Sequence, residues 1–135
     1  MGIRSFIHRL TAPPIKEHVP AGNYKLAIVV NNALKMKKGK IAAQVGHGAV
    51  SATLASSPAL LDAWFSSGQA KICLKGDSDE HLLELKKKAE QSGLPAVKIR
   101  DAGRTQIPAG SLTIVAIGPA LKEDLETITG DLKLL

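Results

Sequence analysis

Two short stretches carry residues that could do chemistry together. The first is "DAGRTQ", in which Asp101, Arg104, Thr105 and Gln106 put a carboxylate, a guanidinium, a hydroxyl and a carboxamide within one loop. A hairpin needs only a glycine and a polar residue or two, and Gly103 and Gly110 already supply the turns. The second is "KIAAQVGHGAVS", residues 40 to 51. At about 100° per residue, Lys40, Gln44, His47 and Ser51 fall on one narrow polar stripe of a helix. If Gly39 caps that helix, Lys40 sits in its first turn, where the macrodipole disfavours a cation. Lys35, Lys37 and Lys38 come just before it, so this helix start should attract an anion strongly. An ammonium, an imidazole, a hydroxyl and a carboxylate around one cleft can activate water and stabilise an oxyanion.

The two stretches need a scaffold, and the hydrophobic pattern supplies one. "KLAIVVN" (25–31) is a nearly continuous apolar run, as expected of a strand buried on both faces. The Ala-rich helix follows it, and Pro58 opens a second helix that Gly68 closes. "AKICLKG" (70–76) reads as a strand. "DSDEHLLELKKKAEQSG" reads as a helix capped by Asp77 with Glu80 and stopped by Gly93. Residues 95–101 and 111–119 are two further strands, followed by a last short helix and the tail "DLKLL". This alternation predicts an α/β layer sandwich around a small sheet, mostly parallel or mixed. If the first and third strands run parallel, the lysine loop and the Asp101 loop leave the same edge, where ligand sites of open sheets gather.

Composition narrows the function classes. The single cysteine, Cys73, excludes an internal disulfide and any multi-cysteine zinc site, so metal-free chemistry with no cofactor is expected. The rings are Phe6, Tyr24, Trp64 and Phe65 alone, too few for a base-stacking RNA platform. No apolar run suits a membrane span. The net charge is +6, and residues 1–60 hold eight bases against one acid, which favours a polyanionic partner. Residues 1–23 stand apart as a flexible basic extension, with a mitochondrial presequence as the alternative to a cytoplasmic protein. Residues 24–135 form the single folded domain.

The motifs K-G-K-I-A-A-Q-x-x-H and D-A-G-R-T-Q-I, in this order and spacing, together with the ending "ITGDLKLL", closely resemble the second class of peptidyl-tRNA hydrolases, the archaeal and eukaryotic type. The resemblance covers about residues 24–135. It implies a three-layer α/β sandwich with a mixed, mostly parallel four-stranded sheet and helices on both faces. It also implies hydrolysis of the ester that joins a peptide to tRNA. By motif position it puts the catalytic groups on Lys40, Asp101 and Thr105. Substrate binding would fall to Gln44, His47, Arg104 and Gln106, with Lys35, Lys37 and Lys38 on tRNA phosphates. Asp101 and Thr105 would position or activate the attacking water, Lys40 would stabilise charge on the ester carbonyl or hold Asp101 ionised, and direct attack by Thr105 is the alternative. The chain departs from the family where Asn31 and Ala33 replace a common Arg and Asp, where Lys37 replaces Gly, and where Gly48 replaces Ala. A non-catalytic RNA-binding or adaptor module on the same fold is the rival reading, and whether the chain forms a homodimer stays open.

Overall fold

The computed structural model describes Ile3, residues 18–103 and residues 107–135. Most of the expected N-terminal extension lies outside the described residues, as do Arg104, Thr105 and Gln106. The elements are β1 (Tyr24–Asn31), a 3-10 turn (Asn32–Leu34), α1 (Lys38–Ala55), α2 (Pro58–Ser66), β2 (Ala70–Gly76), α3 (Asp79–Gln91), β3 (Ala96–Arg100), β4 (Leu112–Leu121) and α4 (Lys122–Thr129).

The sheet order is β2-β1-β4-β3. β1 and β2 pair in parallel from Lys25↔Ala70 to Asn31↔Gly76. β4 runs antiparallel to both β1 and β3. Three strands therefore point one way, as a mostly parallel sheet would have it, but β4 lies between β1 and β3 and makes two of the three pairings antiparallel. This mixed four-stranded α/β sheet is the architecture the sequence led us to expect. No helix lies between β3 and β4 among the described residues, whereas a parallel return needs a crossover, usually a helix.

β1 and β4 are central, and both their faces are buried. On one face Ala27, Val29, Val115 and Ile117 pack with Leu82 and Leu85 of α3 and Leu125 of α4. On the other, Leu26, Ile28, Ile114 and Ala116 pack with Ala52 of α1 and Trp64 of α2. Burial on both sides is why these strands read as unbroken apolar runs. α1 lies close on the sheet at Gly48, where an added Cβ would come within 3.0 Å of Ile114 Cγ2.

α3 begins one residue beyond the expected cap. Ser78, not Asp77, is its N-cap, accepting from the His81 N–H, and Asp79 and Glu80 then place acids in the first turn. At the other end of the chain, the tail runs antiparallel along β2 with a Leu74↔Leu134 bridge. Its strand-like bonds are Lys75 N–H to Lys133 C=O at 2.9 Å and Leu135 N–H to Cys73 C=O at 3.1 Å. Among the described residues no helix is long and apolar enough to cross a membrane.

Candidate active site

β3 delivers Asp101, and the two residues just before β4 fix its backbone. The Asp101 N–H donates to Ser111 C=O at 2.9 Å, and its C=O accepts from the Gly110 N–H at 3.0 Å. The carboxylate is held from both sides. Oδ2 accepts from the Gly103 N–H at 2.9 Å, and Oδ1 takes the Lys40 ammonium. Gly103 has φ +83°, in the left-handed region, and an added Cβ there would sit 2.9 Å from Ala109 Cβ. Glycine is therefore needed to turn that N–H back onto the acid. Burial separates the two partners of the ion pair: the Asp101 side chain is 1% exposed and that of Lys40 is 17% exposed. Lys40 is the member of the pair that offers a face to an incoming group.

Lys40 comes from the first turn of α1, as expected, although the helix starts earlier than Gly39. Lys37 is the N-cap, with extended backbone and no side-chain cap bond. A cation in a first turn is unfavourable by itself, by about 0.3–1 kcal/mol. The Asp101 carboxylate reverses that balance, because it brings a negative charge to the positive end of the helix.

The lysine loop is set by Asn31, the last residue of β1 and 1% exposed. Its Nδ2 donates to Asp79 Oδ1 at 2.7 Å and to Leu112 C=O at 2.9 Å. Its Oδ1 accepts from the Ala33 N–H at 3.2 Å, which caps the 3-10 turn. One carboxamide thus ties β1, α3, β4 and the loop together, and Asp79 supplies an acid to a corner where position 33 has none. Beyond the turn, Lys35 takes φ +49°. Lys35, Lys37 and Lys40 then line a cavity of about 450 Å³ whose apolar wall is Leu34, Met36 and Ile107.

Gln44 does not lie on an open polar stripe. It is 4% exposed, and its Oε1 accepts from the Thr113 hydroxyl at 2.6 Å, so it ties α1 to β4. His47 is exposed and lies apart from the Lys40–Asp101 pair. With Lys98 and Arg100 of β3 it lines a separate groove of about 540 Å³. Arg104, Thr105 and Gln106 lie outside the described residues. Sequence reasoning missed Asn31 as an organiser of the site, and it missed Thr113. The signal was present in both cases, as a polar residue inside or ending an apolar strand that must find a buried partner.

The profile of the family described as Peptidyl-tRNA hydrolase PTH2 matches residues 24–135. The chain belongs to this family. Its relatives among the peptidyl-tRNA hydrolases come from animals and archaea. It is 51% identical to a probable peptidyl-tRNA hydrolase 2 of Drosophila melanogaster over 84% of this chain and 62% of the fly protein, so it spans about three fifths of that relative. It is 46% identical to a peptidyl-tRNA hydrolase of Thermococcus onnurineus over 83% of this chain and 98% of the archaeal one. Identity is 50% to the Sulfolobus acidocaldarius peptidyl-tRNA hydrolase, over 82% of this chain and 99% of the relative. The family match begins at Tyr24, where β1 begins.

Proposed function

We propose that Lys40, Asp101 and Thr105 form the ester-cleaving site of a peptidyl-tRNA hydrolase. The activity follows from family membership: hydrolysis of the bond between peptide and tRNA, with release of both. The observation that carries the assignment of residues is the ion pair between Lys40, in the first turn of α1, and the enclosed Asp101, just beyond β3.

In this reading water adds to the ester carbonyl carbon and negative charge develops on the carbonyl oxygen. The exposed face of the Lys40 ammonium donates to that oxygen, and a donor already held in place costs no reorganisation as the charge grows. Asp101 holds the ammonium in position, while Thr105, four residues further along the sequence, orients the water. Collapse of the adduct breaks the bond to the ribose oxygen, which takes one proton of the added water and leaves as a hydroxyl, while the other proton passes to solvent and the peptide leaves as a carboxylate. Arg104 and Gln106 hold the tRNA end on the same loop. Lys35, Lys37 and Lys38 meet phosphates, as do the bases of residues 1–23, and His47 extends the contact along α1. The Gln44 carboxamide acts from behind by fixing α1 to β4. A tRNA substrate and a single cysteine fit work in the cytoplasm.

Single-turnover release of the acyl group from N-acetyl-aminoacyl-tRNA by the parent and by Lys40→Met tests the reading. Loss of an oxyanion donor predicts a fall of about 100-fold or more in rate, with KM moved far less. A variant that cleaves at the parent rate would remove Lys40 from the chemistry.

A further inference from the structure

β3 pairs only with β4 among the described residues and stands at the edge of the sheet. Pro95 C=O accepts from the Gly118 N–H at 2.8 Å. In an antiparallel ladder bonded pairs alternate with non-bonded ones, so the bonded partners in step with Pro95 are Val97 with Ala116 and Ile99 with Ile114. The N–H and C=O groups of Ala96 and Lys98 therefore point away from the sheet.

α1 runs back beside this edge from Lys40. Among the described residues its outward face there carries no salt bridge, and beside the polar His47 and Ser51 it is built from small and apolar residues. Ala43 and Gly46 are exposed, Val50 is 59% exposed and, one turn on, Leu54 is 81% exposed. Gly46 has no neighbour within 4 Å of the place a Cβ would occupy, so nothing described in the chain requires glycine inside this helix, where it is destabilising. The groove between this face and β3 has a volume of about 540 Å³. On β3 it is lined by Lys98, Ile99 and Arg100, and Asp101 is the next residue of the chain.

We propose that this groove receives the peptide part of peptidyl-tRNA as an added strand, parallel to β3. The inference rests on the hydrolase reading of Lys40 and Asp101, because that reading fixes where the peptide must end. The esterified residue is the C-terminal one, and placing it at Asp101 makes the chain run with β3, its N-terminus toward Ala96. Five residues of strand extend about 17 Å, enough for four or five residues of peptide. Lys98 lies three positions before Asp101, so its outward N–H and C=O meet the peptide about three residues from the ester, roughly 10 Å away. Pairing through main-chain groups is blind to side chains, which suits a hydrolase whose substrates carry any peptide sequence. Ala43 and Gly46 of α1 leave room for the passing chain, and Val50 offers contact to its apolar side chains.

The test compares kcat/KM for N-acetyl-aminoacyl-tRNA and for a hexapeptidyl-tRNA, using the parent, Lys98→Pro, Lys98→Ala and Gly46→Leu. The parent is expected to prefer the long substrate. Lys98→Pro removes the outward N–H, which an edge strand tolerates, and should cut that preference roughly three- to tenfold, the worth of one backbone hydrogen bond. Lys98→Ala keeps the N–H and should keep the preference. Gly46→Leu adds bulk to the groove from a Cβ position with no described neighbour within 4 Å, and should cut the preference while the protein stays folded. The proposal is overturned if the parent shows no preference, or if Lys98→Pro and Gly46→Leu both retain it. It is also overturned if Lys98→Ala weakens both substrates equally with a shallower salt dependence, since the groove would then hold the acceptor strand of the tRNA. Cleavage of the short substrate keeps the hydrolase reading intact in each of these cases, whereas cleavage of neither substrate removes that reading and this inference with it.

Discussion

Replacing Asn31 with leucine removes the hub of the site's framework while keeping the branching of its side chain. Three hydrogen bonds are lost, to Asp79 Oδ1, to Leu112 C=O and from the Ala33 N–H. The bond to the carboxylate is worth about 1.5–3 kcal/mol and each of the others about 0.5–1.5 kcal/mol. Leucine regains about 1–2 kcal/mol through apolar burial. The net expected loss is about 0.5–5 kcal/mol with a midpoint near 3 kcal/mol, and at that midpoint Tm for a domain of this size falls by roughly 10 °C. Urea unfolding at neutral pH measures it directly, as a fall in midpoint at constant m-value. Because the same carboxamide caps the turn leading to Lys35 and Lys40, kcat/KM for peptidyl-tRNA should fall even at temperatures where the variant is fully folded. Asp79→Asn keeps an acceptor and should cost less than half as much as Asn31→Leu. A loss below about 1 kcal/mol for Asn31→Leu, with activity unchanged, would refute the idea that this residue organises the loop.

Three further outcomes follow from the geometry. Gly48→Val should cost about 1–3 kcal/mol and loosen α1, since even a Cβ already presses on Ile114, while Gly48→Ala should stay within about 1 kcal/mol of the parent in urea melts. Burial raises the Cys73 thiol pKa, and the Tyr24 phenol is raised by burial and then by Asp124, so both hold their protons more tightly folded than unfolded. Stability from these groups is complete at neutral pH and should decline as pH climbs above about 8.5 and through the raised values; Tyr24→Phe should flatten the upper part of that decline in pH-dependent urea midpoints. Replacing Lys35, Lys37 and Lys38 together with alanine should reduce the slope of log affinity for tRNA against log salt by about two to three, and an unchanged slope would take these lysines off the phosphates.

The scaffold was legible because its signals are local. β2 has the expected bounds, Ala70–Gly76, and the doubly buried β1 announced itself as an apolar run. The direction of β4 was harder to read, because alternating strands and helices suggest crossovers and only the β3–β4 connection argues otherwise. α1 misled more deeply. A helical wheel sorts residues by polarity, and here the polar Gln44 faces the sheet because Thr113 waits there, while Val50 and Leu54 face outward. The ion pair of Lys40 with Asp101 spans 61 residues of sequence and could be foreseen only as two loops leaving one edge. The Asn31 hub was hidden for a similar reason, as its partners Asp79 and Leu112 lie 48 and 81 residues away.

The most direct test of the central claim, that Lys40 and Asp101 act as one unit, is a double-mutant cycle on the rate of ester cleavage. Single-turnover rates with saturating N-acetyl-aminoacyl-tRNA would be measured for Lys40→Met, Asp101→Asn and the double variant, each shown to be folded. Because the Asp101 carboxylate is enclosed and bound to the ammonium, each single change should lose about 100-fold or more, and the double variant should be no slower than the worse single one. Losses that multiply, or either single variant cleaving at the parent rate, would contradict it.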